Sequence, residues 1–215
     1  MRKNLGIGLL VLFLLPGIAF ADGHFQSINT QDVSFSVKEK VKLLLETESG
    51  FTNKMREYFY QHTEGGVEYA ATSWLDLEFA YRHIWEREGA KWETENRPHI
   101  NAMVKWAWWM FDLSNRSRVE FRVRQNKDDV TRYRNETGIE WSVPGTNKRL
   151  ALFITDDVFV DFDIGRINGN KLEAGVITKL AERINLEIFF IKESCKAEEK
   201  WQDVNGLGTK LKFAF

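Results

Sequence analysis

Few residues in this chain are of a type that could carry chemistry. It has four histidines, His24, His62, His83 and His99, and one cysteine, Cys195. A hydrolase embedded in or near a membrane needs a nucleophile oriented by a base, such as Ser with His, or an Asp/His pair acting on water. His62 lies in Gln61-His62-Thr63-Glu64, and His99 follows Pro98. His83 shares the parity of Phe79 and Tyr81 and reads as an interfacial side chain. None of the four shows a recognisable spacing to Ser or Asp, although triads assemble in space rather than in sequence. No catalytic residue is assigned, and a lipid- or peptide-hydrolysing activity stays open as an alternative. There is no Cys pair, no His-x-x-x-His and no helical carboxylate motif, so neither a metal nor a cofactor is expected. Asp156-Asp157, Asp161 and Asp163, followed by Gly165, do not fit the spacing of an EF-hand loop and read as a solvated loop edge. Gly165 to Gly169 reads as a turn, since no Gly-Lys-Ser/Thr follows and no helix begins there. Cys195 has no partner for a disulfide.

The charges are more orderly. From Arg116 to Arg124 every even position is charged (Arg116, Arg118, Glu120, Arg122, Arg124), and Val119, Phe121 and Val123 are apolar. On a helix such charges would surround the axis; on a strand they all point one way. The same alternation sets Leu75, Leu77, Phe79, Tyr81 and Trp85 against Asp76, Glu78, Arg82 and Glu86. It sets Tyr133, Ile139 and Trp141 against Arg132, Arg134, Glu136 and Glu140. It returns at 183–193 and at 207–215, where Leu207, Leu211, Phe213 and Phe215 oppose Lys210 and Lys212.

The chain of 215 residues is 43% hydrophobic, 13% aromatic and 28% charged, with a net charge of -1. That excludes a disordered chain, and the single cysteine excludes a disulfide scaffold. Residues 1–21 read as a cleaved signal peptide. Arg2 and Lys3 precede an apolar run, Pro16-Gly17 breaks it, and Ala19-Phe20-Ala21 is a small-x-small cleavage pattern. Residues 22–215 then form one exported domain. No later apolar run approaches the length a membrane-spanning helix requires. With export and balanced charge, nucleic-acid binding is disfavoured.

Either a soluble sandwich or lipocalin-like binder, or a membrane barrel, could carry these rows. Four features favour the barrel. The strands are about ten residues or longer. Trp74, Trp85, Trp92, Trp106, Trp108, Trp109 and Trp141 gather near strand ends, as an interfacial girdle would. Proline is scarce, and Pro98 can sit at a strand start. The chain ends on Phe215, in phase with Phe213 and Leu211, resembling the C-terminal signal read by the outer-membrane assembly machinery. The expected fold is therefore all-β: a closed antiparallel up-and-down transmembrane barrel. Eleven candidate strands are legible, at 24–37, 40–49, 57–71, 74–86, 91–107, 113–125, 130–143, 148–162, 170–180, 183–194 and 204–215. Because single-chain bacterial barrels carry an even number, the first would split to give twelve, or its first half would be a plug, giving ten.

From Asn96 onward the chain resembles the family called domain of unknown function 2490, outer-membrane barrels of Gram-negative bacteria. The resemblance rests on Asn96-Arg97-Pro98, the ladder from Asn115 to Arg122, and Arg132-Tyr133-Arg134-Asn135-Glu136. It continues through Asp157-Val158-Phe159, Asn170-Lys171 with Glu173-Ala174-Gly175, and the closing aromatic strand. It implies an outer-membrane location and a barrel architecture. It implies no activity.

The charges expected to face the lumen are Asp76, Glu78, Arg82, Arg116, Arg118, Glu120, Arg122, Arg124, Arg132, Arg134, Glu136 and Glu140. From 116 to 140 six arginines outnumber three glutamates. Enclosed charges are costly unless paired, so an Arg/Glu network that fills the lumen is the main expectation, with little or no steady conductance. A narrow anion-attracting pore is the sharper one. The expected partners are outer-membrane lipids, lipopolysaccharide and the assembly machinery acting on the last strand.

Overall fold

The computed structural model describes residues 25–52, 56–147, 149–163, 165–197 and 200–215. The expected signal peptide and His24 lie outside them.

Alternation of side chains along each strand builds eleven strands: β1 (Phe25–Lys38), β2 (Val41–Thr52), β3 (Glu57–Ala70), β4 (Leu75–Glu88), β5 (Lys91–Trp108), β6 (Phe111–Arg124), β7 (Val130–Ser142), β8 (Leu150–Asp161), β9 (Arg166–Ala181), β10 (Ile184–Ala197) and β11 (Lys200–Ala214). Each pairs antiparallel with the next, and β1 pairs with β11 to close the barrel. No helix occurs among the described residues.

The closure corrects the expected topology. β1 is one continuous strand, neither split nor a plug, so there are eleven strands and not twelve or ten. Each hairpin reverses the chain, so an odd number leaves the first and last strands running the same way. The closing pair is therefore parallel, from Phe25↔Asn205 to Ser34↔Ala214. The even-number rule presumes an antiparallel closing pair. The closed barrel also excludes a two-sheet sandwich.

Three local readings change as well. Pro98 lies inside β5 rather than at its start, and the β5–β6 ladder is interrupted there, with no pair between Asn96↔Val123 and His99↔Glu120. This is what a residue without an N–H does to a ladder. Gly169 is in β9 and not in a turn. A Cβ on it would lie 2.4 Å from Cδ2 of the Phe159 ring, so the glycine makes room for that ring. The acidic run 156–161 is strand β8 rather than a loop edge.

The barrel is inside out relative to a water-soluble one. The largest fully buried side chains are Ile84, His62, His99, Glu120 and Asp157, four of them polar. Meanwhile Leu45, Phe79, Ile100, Phe121, Ile188 and Leu207 are exposed on the outer face, Phe79 by 61%. A soluble barrel with an apolar interior would show the reverse.

Candidate functional site

The site is the barrel interior, and strand register assembles it. Glu46 pairs with Glu64, Glu64 with Arg82 and Arg82 with Arg97, a row of charges across β2 to β5 at one level. Arg82 bonds both acids of that row, through Nε to Glu64 and through Nη2 to Glu46 (3.2 Å). Lys210 on β11 holds the other oxygen of Glu46 at 2.9 Å.

A second cluster spans β5 to β8. Glu120, with no exposed surface, faces Arg134 Nη1 at 3.1 Å, Arg97 Nη1 at 3.5 Å and Arg118 Nη1 at 3.5 Å. Arg118 Nε donates to Asn101 Oδ1 (2.7 Å). Arg134 also pairs with Asp157, Arg116 with Glu136, and Arg132 with Asp161. Arg122 grips Glu95 with two parallel bonds of 2.8 Å. Such bidentate pairs fix geometry as well as charge. The Phe159 ring lies under two of these guanidiniums, 4.6 Å from Arg134 and 5.5 Å from Arg132.

The residues expected to face the lumen are thus found as follows. Glu78, Arg82, Arg116, Arg118, Arg122, Arg132, Arg134, Glu136 and Glu140 line the central cavity. Glu120 is buried behind them, and Asp76 pairs with Lys105. Arg124 reaches the Asp128 carbonyl at the β6–β7 turn and takes no part in the network. In the closing strand, Phe215 donates its N–H to the Ser34 carbonyl (2.9 Å), accepts from Ser36 (2.8 Å) and stacks on Phe35 at 5.5 Å. Leu211 and Phe213 pair with Gln31 and Val33.

Several luminal residues escaped the sequence reading: Glu46, His62, Glu64, Glu95, Arg97, His99, Asp157 and Asp161. A usable signal existed for two of them, since Arg97 and His99, with Asn101, alternate with outward Pro98 and Ile100. On the opposite wall β9 to β11 are thin. Added Cβ atoms at Gly175 and Gly208 would lie 2.5 Å and 2.3 Å from the Phe189 side chain, which meets Phe153 edge-on at 5.9 Å.

The network therefore does not fill the bore. A cavity of about 1360 Å³ remains, lined from Gln202 and Cys195 towards one end to Lys42 and Lys212 towards the other. Its lining carries thirteen carboxylates and twelve lysines and arginines. The arginine excess of β6 and β7 is matched by acids on other strands.

The outer face is not uniformly apolar. Asn115 and Asn135 exchange two amide bonds (2.9 and 3.1 Å), Ser117 and Tyr133 meet at 3.0 Å, and Asn170 donates to Asp156. His83 contacts Asn96 (2.6 Å) and packs edge-on to Trp85 at 4.2 Å. The ring nitrogens of His62, His83 and His99 meet Tyr60, Glu46, Asn96 and a backbone carbonyl; no described contact joins them to a serine.

Residues 25–204 match the family model "Protein of unknown function (DUF2490)". The chain belongs to this family. No curated protein matches this DUF2490 barrel by sequence. Among solved structures it is similar to an anion-selective porin from Comamonas acidovorans, at 13% identity and a TM-score of 0.39 over 81% of this chain. The chain spans 55% of that porin's length.

Proposed function

We propose that this DUF2490 barrel is an integral outer-membrane protein, exported with loss of residues 1–21, whose lumen is a narrow, charge-lined path for small ions. The observation that carries the reading is the inverted distribution of side chains. An outer surface rich in exposed Phe, Leu, Ile and Val around a charged interior is unfavourable in water and favourable in hydrocarbon.

Dimensions support it. Trp74, just before β4, and Trp85, within it, stand eleven residues apart, which is about 37 Å of extended chain, or about 26–30 Å along the axis at a tilt of roughly 35–45°. That matches a bilayer core. Exposed aromatics stand at both ends: Trp74, Trp106, Trp108, Trp109 and Phe215 at one, Trp85, Trp92, Phe162 and Trp201 at the other. The polar side chains of the outer face bond one another, which limits their cost in hydrocarbon.

The near-balance of charge around the cavity supports weak ion selectivity. In planar bilayers the purified protein is expected to give small steps with little preference between potassium and chloride. The expected partners are lipid, lipopolysaccharide and, through the last strand, the assembly machinery. Two assays test the reading in order. Recovery in the pellet after carbonate or urea washing, with heat-modifiable migration, is the expected result, and release into the soluble fraction would overturn the membrane location. Absence of any step from protein shown to be folded would overturn the pore and leave a sealed structural barrel.

A further inference from the structure

Two imidazoles stand in the lumen, and their nitrogens are used differently. His62 is satisfied on both, with Nδ1 3.0 Å from Tyr60 Oη and Nε2 3.0 Å from Glu46 Oε1. His99, 1% exposed, places Nδ1 3.2 Å from the Arg97 carbonyl oxygen, which can only accept. Nδ1 therefore carries the proton. Nε2 has no hydrogen-bond partner, and it faces Glu64 Oε1 at 3.6 Å and Glu78 Oε1 at 3.8 Å.

A neutral imidazole would set its lone pair against two carboxylate oxygens in an enclosed wall. An imidazolium would find both acceptors beyond hydrogen-bond length. A cation between the three atoms removes the conflict. We propose that Glu64, Glu78 and His99 bind one divalent transition-metal ion.

The three donor atoms lie within 4.8 Å of one another. With bonds of about 2.1 Å, separations of 3.6 and 3.8 Å correspond to angles at the ion of about 118–130°, near trigonal and wider than the tetrahedral angle. One nitrogen and two oxygens suit zinc, cobalt, iron or manganese; calcium would require six to eight oxygens. The bond from Nδ1 to a backbone carbonyl is the kind of outer contact that fixes a metal-binding histidine in one tautomer. Arg82 occupies the other oxygen of Glu64 and leaves Oε1 for the ion. The only ion-pair contact of Glu78 among the described residues is with His99. Glu64 and Glu78 both line the cavity, so an ion reaches the site from the lumen and keeps open positions towards its water. The site does not depend on the membrane reading.

The test uses the folded protein in detergent, stripped with EDTA and titrated with Co²⁺, then with Zn²⁺. One equivalent of Co²⁺ is expected, with the visible absorption of a low-coordinate nitrogen and oxygen site, displaced by Zn²⁺. His99→Gln and Glu78→Gln should each weaken binding by more than about 100-fold. Glu140→Gln, a cavity carboxylate outside the cluster, should not. Heat-modifiable migration shows that each variant is folded; if His99→Gln fails, the more accessible Glu78→Gln decides. No bound cobalt in folded protein would overturn the site. Binding undiminished in Glu78→Gln would overturn it too.

Discussion

Replacing Glu120 by glutamine keeps the shape of a side chain with no exposed surface and removes its charge from among three guanidiniums. The consequence differs for each. Arg97 keeps Glu95 at 2.7 Å, and Arg134 keeps Asp157. Arg118, 3% exposed, keeps only the Asn101 amide oxygen. The substitution therefore strands one buried guanidinium. Removing one partner of a buried pair costs about 3–5 kcal/mol. Arg118 borders the cavity, whose water offsets part of that, so about 3 kcal/mol is expected. The measurement is a urea titration in detergent micelles, following the folded band on a heat-modifiable gel. Glu120→Gln combined with Arg118→Gln should recover about 1–3 kcal/mol relative to the sum of the two single changes. A Glu120→Gln protein within about 0.5 kcal/mol of the parent would refute the stranded-charge reasoning. So would a double variant no better than additive.

Three further substitutions probe other parts of the barrel. Phe79→Arg puts a charge on the most outward part of β4 and should cost about 2–4 kcal/mol if that face meets hydrocarbon; an unchanged urea midpoint would indicate water there. Gly169→Val drives a side chain into the Phe159 ring, so a loss of about 1–3 kcal/mol is expected, relieved by adding Phe159→Ala; a neutral Gly169→Val would refute the close approach. Phe215→Ala keeps the backbone bonds to β1 but removes the stack on Phe35, and should lower stability by about 0.5–1.5 kcal/mol in the same titration.

The strands were legible because one physical rule, alternation, writes itself directly into sequence. Arg116 to Arg124 could be read as a strand without any partner. All eleven segments were visible, and the error came from forcing them to an even count, since closure depends on which strands meet and no local pattern records that. Gly169 shows a second limit. Glycine beside asparagine signals a turn by composition, yet here it serves a ring ten residues back in the chain, a contact known only once β8 and β9 are in register. The histidines show a third. His99 means little beside Pro98, and becomes a candidate ligand only when strand pairing brings Glu64 on β3 and Glu78 on β4 near it, diagonally across the ladder.

Register also explains how an odd-stranded barrel stays closed. A parallel pair is slightly less stable per residue than an antiparallel one, so the β1–β11 seam is the weakest line of backbone bonding. Side chains reinforce it on both faces. Thr209 donates to Asn29 across the seam at 2.8 Å, and Lys210 on β11 approaches Asp32 on β1 at 3.8 Å while holding Glu46 on β2 at 2.9 Å. One ammonium thus ties three consecutive strands together, and Glu46 passes the connection to Arg82 on β4. The charged wall that lines the cavity is in this way also the clasp of the barrel. A lumen emptied of charge would lose this clasp along with its lining and leave the seam to its backbone ladder.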